Sequence, residues 1–166
     1  AEIYDKIGWF SAAVTAYKSL QQEFPDSEYA RRADYGYAWA LYHAGQFAEA
    51  TVAADIFLAR YTDSPFALGM GYLRGNCLQQ QQRYTEALTA YQDILTNHAT
   101  SEFAARAHYK LAWTLYLSGD SVSAKQEVAK PSFALCQPRD VFDTRSKLFV
   151  FKGKNKQNVL KKVEGG

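Results

Sequence analysis

The sequence predicts an all-α fold, a solenoid of about three and a half helical hairpins, and three observations carry that expectation. The first is a repeat with a 37-residue period. Ser27, Ser64 and Ser101 follow it, as do Tyr35, Tyr72 and Tyr109, Leu41, Leu78 and Leu115, and Ala50, Ala87 and Ala124. The second is helical spacing of apolar residues between punctuating Gly, Pro and Ser. The third is a pair of small-residue columns, Ala38, Gly75 and Ala112 against Ala50, Ala87 and Ala124, which lets two helices approach closely.

The elements follow in order. One period before Phe47 and Ala50 stand Phe10 and Ala13, so the chain opens inside a first copy, on its second helix. Pro25 stops that helix. Ser27, Ser64 and Ser101 are expected to cap the first helices of the next three copies through their hydroxyls. Glu28, Pro65 and Glu102 then suit a helix start. These helices are expected to run to about Tyr42, Gln79 and Tyr116. Gly45 and Gly119 follow as left-handed caps, with Gln82 in that column in the third copy. Second helices are expected to begin near Phe47, Tyr84 and Ser121. Pro131 falls 37 residues after Ile94, where a fourth outer helix should still be running, so that helix is expected to be incomplete. One hairpin cannot bury both its faces, so neighbours must stack.

Composition bounds the function. The chain has 166 residues, 48% hydrophobic and 22% charged, which excludes disorder throughout. Its net charge of +2 makes neither nucleic acid nor an anionic membrane an obligate partner. The stretch from Tyr35 to Ala48 is uncharged but too short to span a bilayer, and no charged-then-apolar leader opens the sequence. Two cysteines, Cys77 and Cys136, exclude a disulfide-rich miniprotein; whether they are bridged is undecided by sequence. Cys77 is expected to be a packed thiol, since no His/Asp set accompanies it. His43, His98 and His108 make no close-spaced metal motif, and His98 is expected in a turn. Glu49 and Glu86 read as solvated charges. No phosphate-cradling loop and no enzyme signature appear, so no cofactor, metal or catalytic residue is expected.

Residues 131–166 form a second expected region. They carry eight Lys or Arg and three Asp or Glu, net +5, against net −3 for residues 1–130. Leu148–Phe151 reads as a short strand, residues 153–156 as a turn and Val159-Leu160 as a return strand. A solvated tail, a basic arm for anionic lipid or nucleic acid, and a cap over the last hairpin are the alternatives.

The hairpin with Ala38, Leu41, Gly45, Phe47 and Ala50, closed by Pro25 in the preceding copy, resembles the tetratricopeptide repeat. The longer period, with Pro-Asp-Ser in the turn, is similar to the bacterial cell-envelope branch of that family. The outer-membrane assembly lipoprotein and the coordinator of the Tol–Pal system belong to that branch. Residues 22–27 and 40–50 carry the likeness, which covers residues 1 to about 130. It implies a right-handed tetratricopeptide-like superhelix whose first helices line a concave groove.

The resemblance then assigns the groove. Arg32, Tyr35, Trp39, Tyr42 and His43 would face it from one hairpin. Tyr72, Asn76, Gln79 and Gln80 would do so from the next, and Arg106, Tyr109, Trp113 and Tyr116 from the third. Aromatic residues make up 15% of the chain, and Tyr and Trp offer large contact area with polar handles. The Tyr35, Tyr72 and Tyr109 column recurs in every copy, so it is expected to pack. Trp39, Trp113, Tyr42 and Tyr116 are expected to be partly exposed. The cationic clamp of chaperone-binding members is not expected, because tyrosines stand where it needs lysine. The reading is a non-enzymatic module that holds a peptide or partner protein, periplasmic or outer-membrane-associated by resemblance. The alternative is a spacer that self-assembles as a homo-oligomer.

Overall fold

A computed structural model describes residues 9–25, 27 and 29–130, and all its regular elements are helices. They are α1 (Phe10–Glu23), α2 (Ala30–His43), α3 (Phe47–Arg60), α4 (Ala67–Gln80), α5 (Tyr84–Asn97), α6 (Glu102–Leu117) and α7 (Ser121–Ala129). The strands and turn expected beyond residue 131, Cys136 and the basic segment lie outside the described residues. The chain divides into two compact units, residues 1–83 and 84–166.

In the first unit α1 packs on α2, α2 on α3 and α3 on α4, with a further contact between α2 and α4. Ala38 and Ala50 are fully buried in one core with Leu41, Phe57, Met70, Leu73 and Cys77, as the small-residue columns require. A second cluster of Ala13, Tyr17, Ala33 and Ala40 joins α1 to α2. Burying a side chain the size of Phe57 or Leu73 contributes about 1.5–3 kcal/mol. In the second unit α5 packs on α6 and α6 on α7, with Ala112 and Val128 at the α6–α7 contact.

Helix ends repeat as strictly as the core. After α2 the Gln46 amide donates to the Leu41 carbonyl at 2.9 Å, with Gly45 at φ 82°. After α4 Arg83 donates to Leu78 at 2.9 Å with Gln82 at φ 61°, and after α6 Asp120 donates to Leu115 at 2.9 Å with Gly119 at φ 92°. All three are six-to-one closures around a left-handed residue. Asp120 also caps α7 by accepting from the Ser123 amide at 2.9 Å.

Helix starts differ from the expectation in two copies. α2 and α4 begin at Ala30 and Ala67, three residues after Ser27 and Ser64. The Ser27 and Ser64 carbonyls accept from the Ala30 and Ala67 amides at 3.0 and 2.9 Å. Tyr29 (φ −87°, ψ −11°) and Phe66 (φ −88°, ψ −9°) hold the third position of a type I turn. Pro65 therefore fills the second turn position, where its fixed φ fits, and is not the first helical residue. Ser101 does precede α6 directly, yet its hydroxyl makes no capping bond.

The last of the described helices is short, as Pro131 predicts. α7 has 9 residues where α3 and α5 have 14, and Lys130 leaves it extended at ψ 141°. A residue before proline is driven out of the helical region by the ring.

Candidate functional site

The first unit carries a stripe of rings along α2. Tyr35, Trp39 and His43 recur every four residues, so they share one helix face. Each is half-buried. Trp39 stacks on His43 at 5.8 Å between centroids, and His43 stacks on Phe10 of α1 at 4.8 Å. Tyr35 lies against Phe66 at 5.0 Å and Phe57 at 6.1 Å. The stripe is therefore backed by core on one side and reaches solvent on the other. Arg32 is exposed one turn before Tyr35.

Trp39 has a feature the sequence did not signal. Its indole Nε1 is buried, and among the described residues no acceptor lies within hydrogen-bond distance. An unmade bond of that kind costs on the order of 1–3 kcal/mol.

Other residues of the predicted set sit elsewhere. Tyr42 departs from the expected exposure: at 6% exposed its ring is core, edge-on to Trp39 at 5.9 Å and tilted against Phe47 at 5.5 Å. Tyr42 lies about 60° around the helix from Trp39, on the flank that joins the core cluster with Ala50 and Ala54. Tyr72, Asn76 and Gln79 on α4 are buried too, while Gln80 is exposed. Gln81, from the glutamine run, ties α4 to α3 by donating to the Thr51 hydroxyl at 2.8 Å and the Phe47 carbonyl at 3.1 Å.

In the second unit Arg106, Tyr109, Trp113 and Tyr116 on α6 are all half-buried. Trp113 lies against Tyr116 at 5.4 Å, and the Arg106 guanidinium sits 5.7 Å over the Phe103 ring. Tyr109 packs against the Ala112–Val128 contact, and burial pushes its hydroxyl up to about 12. That side chain stays neutral at any ordinary pH and serves as a packing ring.

Two polar clusters escaped the sequence reading. Asp34 on α2 accepts from Gln21 of α1 and from the Tyr61 hydroxyl, both at 2.8 Å, with Arg60 at 3.7 Å. Burial and this hydrogen bond raise the Tyr61 hydroxyl above its ordinary value. On α7 the buried Glu127 receives His108 Nδ1 at 2.7 Å and Lys130 Nζ at 2.6 Å. Burial pushes its carboxyl up, but these partners together outweigh burial and hold it below the usual range. Asp34 and His108 stand in one repeat column, with Gly71 between them, and that shared polar column was the available signal.

Reactive chemistry is not gathered at any of these places. Burial pushes the Cys77 thiol up to about 12, against a smaller opposing effect of its hydrogen bond with Thr51, and the thiol is unbridged. Among the described residues no three His, Cys, Asp or Glu side chains gather as a metal site. No described helix is long and apolar enough to cross a membrane.

Comparison with known proteins adds a second line. The outer membrane lipoprotein family (YfiO) matches residues 5–85, and a tetratricopeptide repeat family matches residues 72–129. The outer membrane protein assembly factor BamD of Caulobacter vibrioides is 31% identical over 119 residues. That alignment takes in 67% of this chain and 39% of the relative, so the chain spans well under half the relative's length. Two crystal structures of a Podosopora anserina kinesin light chain with nearly identical TPR-like repeats share the fold. One, a single-residue variant, has a TM-score of 0.69 at 15% identity, over 99% of this chain and 89% of that one. The other has a TM-score of 0.68 at 16% identity, over 99% and 90%.

Proposed function

We propose, for a chain that belongs to the tetratricopeptide-repeat proteins of the outer-membrane-assembly type, that its first helices hold an extended protein segment. The chain acts as a non-enzymatic interaction module of the bacterial envelope, periplasmic and associated with the outer membrane. The compartment rests on the likeness to the outer membrane lipoprotein family and to the assembly factor.

The observation that carries the reading is the α2 stripe. Tyr35, Trp39 and His43 present half-buried rings in line along one face of the helix. These rings supply apolar area against which an extended segment can lie. Arg32 stands beside them for an acidic or carboxyl group. On α6, Trp113, Tyr116 and Arg106 offer half-buried rings and a guanidinium of the same kind. Tyr42, Tyr72, Asn76 and Tyr109 belong to this proposal as backing, holding the exposed rings in place.

Trp39→Ala and Trp113→Ala test it. Each variant, compared with wild type, is used to capture partners from an envelope extract, with helicity followed by circular dichroism. Capture that falls several-fold while helicity holds supports the reading. Equal capture by both variants removes it.

A further inference from the structure

A second surface lies on the opposite kind of helix. On α3, Ala48, Val52, Ile56 and Ala59 form one line along the solvent face, and Val52 and Ile56 are 58% and 60% exposed. One period earlier the same places on α1 hold Ser11, Thr15, Ser19 and Gln22. One period later, on α5, they hold Thr85, Thr89, Asp93 and Thr96. All eight of those polar residues are exposed. Thr15, Thr89 and Thr96 satisfy their hydroxyls on carbonyls of their own helices. Single exposed apolar residues need no explanation, but a row of four, in columns that are polar in both flanking copies, marks a covered face.

The ridge is complementary to itself when reversed. Glu49 in the first turn and Arg60 at the last residue of α3 lie on the same edge, within about 20° around the helix axis. A two-fold axis beside Ala54 lays Val52 of one copy on Ile56 of the other. It also brings Glu49 of each copy to Arg60 of its mate. Such an isologous arrangement satisfies both ion pairs at once. On the other edge Asp55 lies near the axis, but it is already bridged to Arg74 of α4 at 2.5 Å, so the two copies meet there as neutral pairs.

We propose that α3 is the seam of a homodimer, an antiparallel α3–α3 contact sealed by Val52 and Ile56 and registered by Glu49 with Arg60. One helix pair buries less than the roughly 1,200–2,000 Å² of a standard interface. The dimer is therefore weak and concentration-dependent. This surface is separate from the α2 stripe, so the two readings stand or fall independently.

Sedimentation velocity over about three decades of concentration tests it. Wild type is expected to shift from monomer to dimer, and Val52→Lys to weaken association by at least about tenfold. Glu49→Arg and Arg60→Glu are each expected to remain monomeric, since each places like charges across the seam twice. Mixed in equal amounts they are expected to form a dimer, because every crossing pair is then attractive. Arg60 also lies 3.7 Å from Asp34, so circular dichroism checks that Arg60→Glu folds, and Val52→Lys supplies the test if it does not. A wild type that stays monomeric throughout overturns the proposal. So does a Val52→Lys variant that associates like wild type, or a mixture of folded charge variants that fails to pair.

Discussion

The contact of α1 with α2 and the contact of α3 with α4 occupy the same place in successive repeats, and they are filled in opposite ways. Tyr17 and Gly36 meet in the first; one period on, Ala54 and Leu73 belong to the same core cluster. The Tyr17 ring comes so near Gly36 that a Cβ there would lie 2.4 Å from Cζ. In the second contact the small residue is on α3 and the large one on α4. Tyr17, Ala54 and Leu73 are all buried, so neither solution leaves the interface open. The repeat preserves where the backbones run. Volume is preserved by the facing pair, not by the column, as close packing demands.

The largest expected effect comes from emptying the second contact. Leu73→Ala removes a fully buried side chain opposite Ala54, which has nothing to fill the void. A loss of about 2–5 kcal/mol in denaturant unfolding is expected. Next comes overfilling the first contact. Gly36→Leu places a side chain where the Tyr17 ring already sits, at a cost of about 1–3 kcal/mol or more. Adding Tyr17→Ala imports the second solution into the first contact and is expected to recover most of that loss. A double-mutant cycle measures the coupling. If the two changes simply add, the compensation argument fails.

Much of this architecture was legible because it follows from periodic, local chemistry. The starts at Phe47, Tyr84 and Ser121 match the expected ones. Pro131 foretold the short α7 because a missing donor and a ring clash act on the chain's own neighbours. The starts of α2 and α4 were misread, since Ser, Pro and an aromatic can begin a turn as readily as a helix. The candidate surface was less legible. Trp39 and Asn76 share a column, yet one is half-buried and the other buried. That outcome depends on what neighbouring helices bring, as with Tyr17 and Gly36, and a period does not encode it. His108 with Glu127 was missed for a related reason: 19 residues separate partners that meet only once α7 folds back on α6.

The α6–α7 contact, which joins the two helices of one copy, adds a polar counterpart to these two apolar contacts. Glu127 is 5% exposed and bonded by both His108 and Lys130. Its carboxyl is held below its unfolded value, so its contribution is present above the unfolded pKa and is lost as pH falls through the folded one. Glu127→Gln keeps the shape and removes the charge, with an expected loss of about 1–2 kcal/mol near neutral pH. Wild type and variant should converge on acidification. Thermal unfolding across a pH series reads both; a difference that persists at the acid end would show that the charge is not its source, and no difference at any pH would show that the clasp acts by shape alone.

The smallest effect concerns the helix ends, where the three copies are most alike. Gly45, Gln82 and Gly119 all take a left-handed backbone and support the same closure. Glycine adopts that conformation without strain, whereas a side chain pays on the order of 1–2 kcal/mol for its Cβ against the neighbouring carbonyl. Gln82 is exposed, so its side chain has no buried contact to offset the strain. Gln82→Gly is therefore expected to stabilise the fold, by about 1 kcal/mol after the entropy that glycine adds to the unfolded chain. Gly119→Ala should do the reverse by a similar amount. Its Cβ would meet nothing within 4 Å, so any loss there reports backbone strain alone. Matched denaturant curves for the two variants read the strain with opposite signs. Equal and opposite shifts would mean that the repeat tolerates one poor residue in this column at the cost of the backbone strain alone.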